Sequence, residues 1–202
     1  MIDEERPKPR KRRERGPPPP PKPLDAPRLQ ALALHYAARY ATTAAKLRTY
    51  LRRKLRDRPW EGATPPDPDA LVARIVELGY VDDAAWAAAK RRTMSIRGLG
   101  ERRVSQALNA AGISSEDATP EAEDEDIPDD GIAAALRFAR RRRLGPFARE
   151  GSTSDPAPDP GTARRALAAM LRAGHDHGLA RRILTARTVA EAEAMAEDQP
   201  LS

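Results

Sequence analysis

Cysteine is absent from this sequence, which removes disulfides, thiolate metal sites and cysteine nucleophiles in one step. That suits a reducing compartment, so a cytoplasmic protein is expected. Aromatic residues are nearly as scarce: two Phe, four Tyr and two Trp among 202 residues leave any core to be built from aliphatic side chains and alanine. No stretch is apolar and long enough to span a bilayer. The basic N-terminus runs into five prolines at 17–21 instead of the apolar centre of a secretory signal, so no membrane role is expected. Also missing are the Walker-type phosphate loop, the GxGxxG dinucleotide turn, HExxH and the GxSxG nucleophile elbow. Nothing therefore organises phosphoryl transfer, hydride transfer or hydrolysis, and the chain reads as a non-enzyme with no cofactor and no metal. His175 and His177, two apart, point to different sides of a helix and have no third ligand placed beside them.

Positive charge is what the sequence has in excess. The formal net charge is +6, yet residues 114–130 hold nine acidic residues and no Lys or Arg, so the remainder carries +15. Basic residues recur along the helical segments: Arg52 and Arg53, then Lys90, Arg91, Arg92 and Arg97, then Arg102 and Arg103. Arg140, Arg141, Arg142 and Arg143 follow, then Arg181 and Arg182, with Arg164 and Arg165 extending the series. Such recurrence predicts a basic stripe that binds an acidic or phosphate-bearing partner. The plainer reading is a set of solvated helix faces.

Apolar spacing is helical almost throughout. Residues 1–27 are the exception, a basic, proline-rich tail expected to be disordered. From Arg28, the positions Leu29, Leu32, Ala33, Tyr36, Ala37 and Tyr40 trace one stripe at three-four spacing. Thr42 or Thr43 caps a second helix with Leu47, Leu51 and Leu55 on one face, and Asp67 with Pro68 opens a third. These predict a three-helix unit over 28–79. A second unit spans 80–130 and ends in the acidic segment, where a regular third helix is not expected. A third, over 131–187, contains a Pro-rich loop, and 188–202 forms a short helix boxed by Thr188 and Glu191 that frays before Pro200. Gly79, Gly112 and Gly174 mark a repeat: Ile75, Leu108 and Met170 stand four residues before them and polar helix starts follow, so each glycine is a left-handed stop between paired helices. The expected fold class is all-α, an elongated array of three tandem three-helix, helix-turn-helix-like units.

Residues 77–113 organise the rest. Asp82 is placed to cap a helix, Asp83 adds negative charge to its first turn, and Val81 is expected to staple over Trp86. The run from Gly79, Tyr80, Val81, Asp82 and Asp83 to Trp86, the basic stretch, the glycine connector at 98–100, and the helix from Arg102 and Arg103 to Gly112 and Ile113 resemble the central signature of the RecX family. At pattern level the resemblance extends from residue 28 to residue 186. It implies an array that binds the bacterial recombinase RecA, lies in the groove of the RecA filament on single-stranded DNA, and restrains filament extension, ATP hydrolysis and strand exchange. The implied partner is the RecA filament. Single-stranded or duplex DNA is a second candidate for the basic stripe, and a monomer is expected. Where the family's third unit usually has an arginine-glycine-phenylalanine turn, this chain has Ala173, Gly174 and His175, which implies looser docking there. The alternative is a direct DNA-binding helix-turn-helix protein. Against it, the helix after Gly112 opens with Ser114, Ser115, Glu116 and Asp117, which phosphate repels, and the one after Gly174 offers His175, Asp176 and His177 where base contacts begin.

Overall fold

The computed structural model describes residues 21–114, 131–148 and 159–197. Their elements are α1 (Ala26–Arg39), α2 (Ala44–Asp57), α3 (Pro68–Glu77), α4 (Asp83–Ile96), α5 (Glu101–Asn109), α6 (Gly131–Arg142), a 3-10 turn (Gly145–Ala148), α7 (Pro160–Arg172), α8 (His177–Thr185) and α9 (Val189–Glu197). No strand occurs among the described residues, and none of their helices is long and apolar enough to cross a membrane.

Short oxygen-bearing side chains start these helices. Asp25 accepts from Arg28 N, Thr43 from Lys46 N, Asp67 from Asp69 N and Ala70 N, Asp82 from Ala85 N, and Asp176 from Leu179 N. Each satisfies amides that a first helical turn leaves without partners. Four of the ends, those of α3, α4, α5 and α7, share one construction. Tyr80 N donates to Ile75 O at 3.1 Å, Leu99 N to Met94 O at 3.0 Å, Ile113 N to Leu108 O at 3.1 Å, and His175 N to Met170 O at 3.2 Å. The residue before each of these donors is a glycine in the left-handed region, Gly79, Gly98, Gly112 and Gly174, as a Schellman closure requires. The repeat in the sequence is thus a repeated helix stop.

Three cores follow the chain order. Leu29, Ala33, Leu47, Leu51, Val72 and Ile75 fill the first between α1, α2 and α3. Leu24 belongs to it as well, 1% exposed, donating from its N–H to Pro59 O and accepting at its carbonyl from Glu61 N, both at 2.8 Å. The fold therefore begins inside the segment expected to be tail, because one leucine among prolines contributes about 2 kcal/mol by burial while leaving the composition disorder-like. Residues 1–20 of that tail lie outside the described residues. The second core holds Ala87, Met94, Val104, Leu108 and Ile113 from α4, α5 and the turn after α5; the acidic segment in which no regular third helix is expected lies, from residue 115 to 130, outside the described residues. The third gathers Ala135, Phe138, Phe147, Met170 and Ile183 from α6, the 3-10 turn, α7 and α8, and it takes Ala192 from α9. The third packing unit consequently runs past residue 187. Thr188 accepts from Glu191 N at 3.1 Å, while the Glu191 carboxylate returns to Arg187 N at 2.8 Å, so the box closes one residue earlier than its sequence form. Of the Pro-rich loop expected over 149–161, residues 149–158 lie outside the described residues, as does Pro200, while Asp159 caps α7 and Pro160 and Gly161 form its first turn.

Backbone groups join these cores. At the first seam the Thr43 hydroxyl donates to Ala111 O at 2.6 Å, the Asp83 carboxylate accepts from Ala44 N at 2.9 Å, and Gly112 lies so close to Ala45 that an added Cβ would stand 2.2 Å from the Ala45 Cβ. This replaces the expected staple. Val81 is buried in the first core, whereas Trp86 is half-buried against the second with the Lys46 ammonium 4.2 Å over its ring. Asp83, in the first turn of α4, instead ties that helix to the first amide of α2. At the second seam Gly100, which has no side chain to cap α5, donates from its N–H to Ala173 O at 2.9 Å, and Arg102 N donates to Gly174 O at 3.2 Å. His175 is buried, its Nε2 lies 3.1 Å from Gly98 O, and its ring tilts against Phe138 with centroids 5.5 Å apart. The turn expected to dock loosely is therefore closed by a hydrogen-bonded ring.

Two predictions follow from the second seam. An alanine at position 100 would place its Cβ 2.4 Å from the Gly174 carbonyl carbon, which is backbone and cannot swing away. Gly100→Ala should lower stability by about 1–3 kcal/mol, read as a lower urea midpoint, while Gly131→Ala, with open space around it, stays at or slightly above wild type. Equal midpoints for Gly100→Ala and wild type would contradict the close approach. Burial pushes the His175 imidazole below its ordinary value of 6.5, the hydrogen bond to Gly98 O acting the other way and losing. The unfolded chain then binds the proton more readily than the fold. This stabilisation is complete above about pH 6.5 and is lost as pH falls through the folded value. Denaturant midpoints measured from pH 7.5 to 5 should fall for wild type and fall less for His175→Phe; parallel curves would contradict it. Asp176 is held below the usual carboxylate range, chiefly by Leu179 N, so its own contribution is lost only at lower pH.

Candidate basic interaction surface

The basic residues divide by what their guanidinium groups touch. Arg52 and Arg48 both grip Asp69, at 2.8 and 2.6 Å, and the Arg52 hydrogen bond holds that exposed carboxyl below its ordinary range. Arg91 is only 25% exposed at its side chain and pairs with Glu101 at 3.0 Å, tying α4 to the first turn of α5. Arg140 pairs with Glu193 of α9 and lies over the Phe147 ring. These three members of the stripe are fastened to the fold; Arg91 and Arg140 each meet a carboxylate, whereas Arg52 shares Asp69 with Arg48, so that cluster keeps one positive charge.

The others remain outward. Arg53, Arg92, Arg97, Arg102, Arg103, Arg141, Arg142, Arg143, Arg181 and Arg182 are exposed and form no ion pair among the described residues. Arg141 and Arg142 flank the Phe138 ring at 6.0 and 5.9 Å, and Arg103 lies along Gly174, its stem in the second seam and its tip 3.4 Å from Gln106. Lys90 is half-buried, 5.9 Å over Trp86. Of the central motif, Gly79, Gly112 and Gly174 form the helix stops, Asp82 and Asp83 cap different helices, and Tyr80 is 57% exposed.

Two clefts are lined by cations. One, of about 480 Å³, lies between α2 and the end of α5, with Lys46 and Arg53 beside the stacked rings of Tyr36 and Tyr50. The second, of about 1140 Å³, lies between the 3-10 turn, α7 and α8 and brings Arg143 and Arg181 together with Arg164, Arg165 and Arg187. Sequence reading passed over Arg187 and Lys46, single charges outside any basic run. Their only signal is position next to a helix boundary. Exposed apolar side chains at Val76, Leu78, Tyr80 and Ile96 were likewise hidden, because helical spacing does not say which apolar residue lacks a neighbour.

No family model matches the sequence. The regulatory protein RecX of Myxococcus xanthus (strain DK1622) is 35% identical to it over 168 residues, spanning 77% of this chain and 83% of that protein. The fold is similar to the crystal structure of RecX from Lactobacillus salivarius, with a TM-score of 0.55 and 15% identity over 76% of this chain and 90% of that one. A second crystal structure, of a regulatory protein RecX, superposes with a TM-score of 0.54 and 18% identity over 77% of this chain and 71% of that one. Identity sustained over most of both lengths, together with this all-helical fold, establishes that the chain belongs to the RecX family.

Proposed function

We propose that this chain is a non-catalytic cytoplasmic regulator of the RecA recombinase that acts as a monomer. It lies in the groove of the RecA filament on single-stranded DNA and restrains filament extension, ATP hydrolysis and strand exchange. The observation that carries this reading is the distribution, over all three cores, of exposed guanidinium groups with no ion pair among the described residues, with backbone seams holding one core to the next. A filament repeats its surface from subunit to subunit. Several weak contacts held at fixed spacing on one ligand act as a multivalent set, so the complex is far tighter than any single contact. Basic side chains answer the DNA phosphates and the acidic groups within reach of the groove. Sitting across subunits, the chain blocks addition of the next one and hinders the rearrangement that turnover requires.

Co-sedimentation with preformed RecA filaments on single-stranded DNA, beside a DNA-only control, tests this directly. Retention with filaments and little with bare DNA is expected. Equal retention on bare duplex would favour the direct DNA-binding reading instead.

The outward arginines of the central helices give the mutational prediction. Replacing Arg92, Arg97 and Arg102 together with Gln should leave stability within about 1 kcal/mol of wild type, since exposed changes away from caps and cores are small. Filament affinity should drop, and its dependence on salt should flatten as charge contacts are removed. Arg91 is left in place because its pairing with Glu101 is structural. A folded triple variant with wild-type affinity at two salt concentrations would show these side chains to be merely solvated.

A further inference from the structure

The cleft between the 3-10 turn, α7 and α8 has a floor and a rim of opposite character. Leu144, Leu167 and Leu184 form the floor, each half-buried and packed on the outside of the third core. Arg143, Arg164, Arg181 and Arg187 stand around it, all exposed and none in an ion pair among the described residues. Among the described residues one acidic side chain borders the cleft, Asp159, and its carboxylate accepts from Gly161 N at 2.7 Å, Thr162 N at 3.2 Å and the Thr162 hydroxyl. Among the described residues the rim therefore sets five arginines, Arg165 included, against one carboxylate, over an apolar surface.

Arg143 adds a second observation. It closes α6 in the same way as the four glycine stops, with Leu144 N donating to Ala139 O at 2.8 Å, yet it does so at φ 52 as a non-glycine residue. A left-handed arginine costs about 1 kcal/mol where glycine costs nothing of the kind. What the arginine adds at that position is a guanidinium group on the rim of this cleft.

We propose that this cleft is a docking site for an acidic amphipathic helix of a partner protein, its apolar stripe on Leu144, Leu167 and Leu184 and its carboxylates against the arginine rim. The volume, about 1140 Å³, exceeds the range of about 300–1,000 Å³ usual for small-molecule pockets, and an apolar floor is what an amphipathic helix needs for its apolar face. Carboxylates pair with guanidinium groups in a bidentate fork, which gives the rim orientation as well as attraction. The site does not depend on the partner being a recombinase, so it stands or falls separately from the filament reading.

The test uses the full chain and a fluorescein-labelled synthetic peptide of Glu and Leu with leucines at i, i+3, i+4 and i+7 spacing, followed by anisotropy at physiological salt. Two controls are a peptide of the same composition with the leucines scattered and a polyglutamate of equal length. The patterned peptide should bind at least about tenfold more tightly than either control, and Leu167→Glu and Arg181→Glu should each weaken it by about tenfold. Arg181 is exposed, so its variant keeps the test valid even where Leu167→Glu fails to fold. Absence of binding, equal binding of polyglutamate, or indifference to Arg181→Glu would overturn the proposal. So would a short single-stranded oligonucleotide that binds and is lost in Arg181→Glu while the peptide does not bind. Self-association of the chain abolished by Leu167→Glu, with no peptide binding, would assign the cleft to a second copy instead.

Discussion

Two helix ends that cannot complete their own hydrogen bonds complete each other, and the arrangement of this protein depends on that exchange. α5 opens with Gly100, which offers no side-chain cap, and its free amides at Gly100 and Arg102 bond to the carbonyls of Ala173 and Gly174 at the end of α7. The positive end of one helix dipole meets the negative end of the other. Glycine stands on both sides because no Cβ fits: one at Gly174 would lie 2.6 Å from Arg103 N. Thr43 and Asp83 do the corresponding work between the first and second cores, with Gly112 against Ala45 as the close approach. With few aromatic rings available, small aliphatic cores are coupled by backbone contacts in place of large apolar interfaces.

Helices and their stops were legible because their causes are local. Thr43, Asp67, Asp82 and Asp176 lie where capping chemistry requires them, and Gly79, Gly112 and Gly174 follow apolar periodic runs at a constant offset, whereas Asp25, the cap of α1, was missed inside the segment read as tail. What escaped was decided at a distance. His175 looks like a polar intrusion in a turn until Gly98, 77 residues away, supplies its partner. Leu24 looks like tail until Pro59 and Glu61 supply its ladder. Val81 and Trp86 are correctly spaced for a staple, but spacing could not say that each would be claimed by a different core.

The same limit applies to the surface. Runs of arginine announce positive charge, but not that Arg52, Arg91 and Arg140 each meet a carboxylate while Arg92, Arg97 and Arg102 meet none among the described residues. Nor do they announce that Arg143 and Arg181 share a cleft with Arg187. Salt bridges on exposed faces contribute little to stability, so the paired set serves mainly to hold elements in register and the unpaired set is free to meet a partner.

If seams set the spacing of contacts along a filament, loosening one must weaken the whole set more than any local loss explains. The decisive measurement is the affinity of Gly100→Ala for RecA filaments on single-stranded DNA, taken well below its unfolding midpoint, with helix content followed by circular dichroism in the same buffer. The account predicts unchanged helix content with affinity reduced by an order of magnitude or more. Wild-type affinity in a variant whose second seam has opened would show that the cores bind independently, and would contradict it.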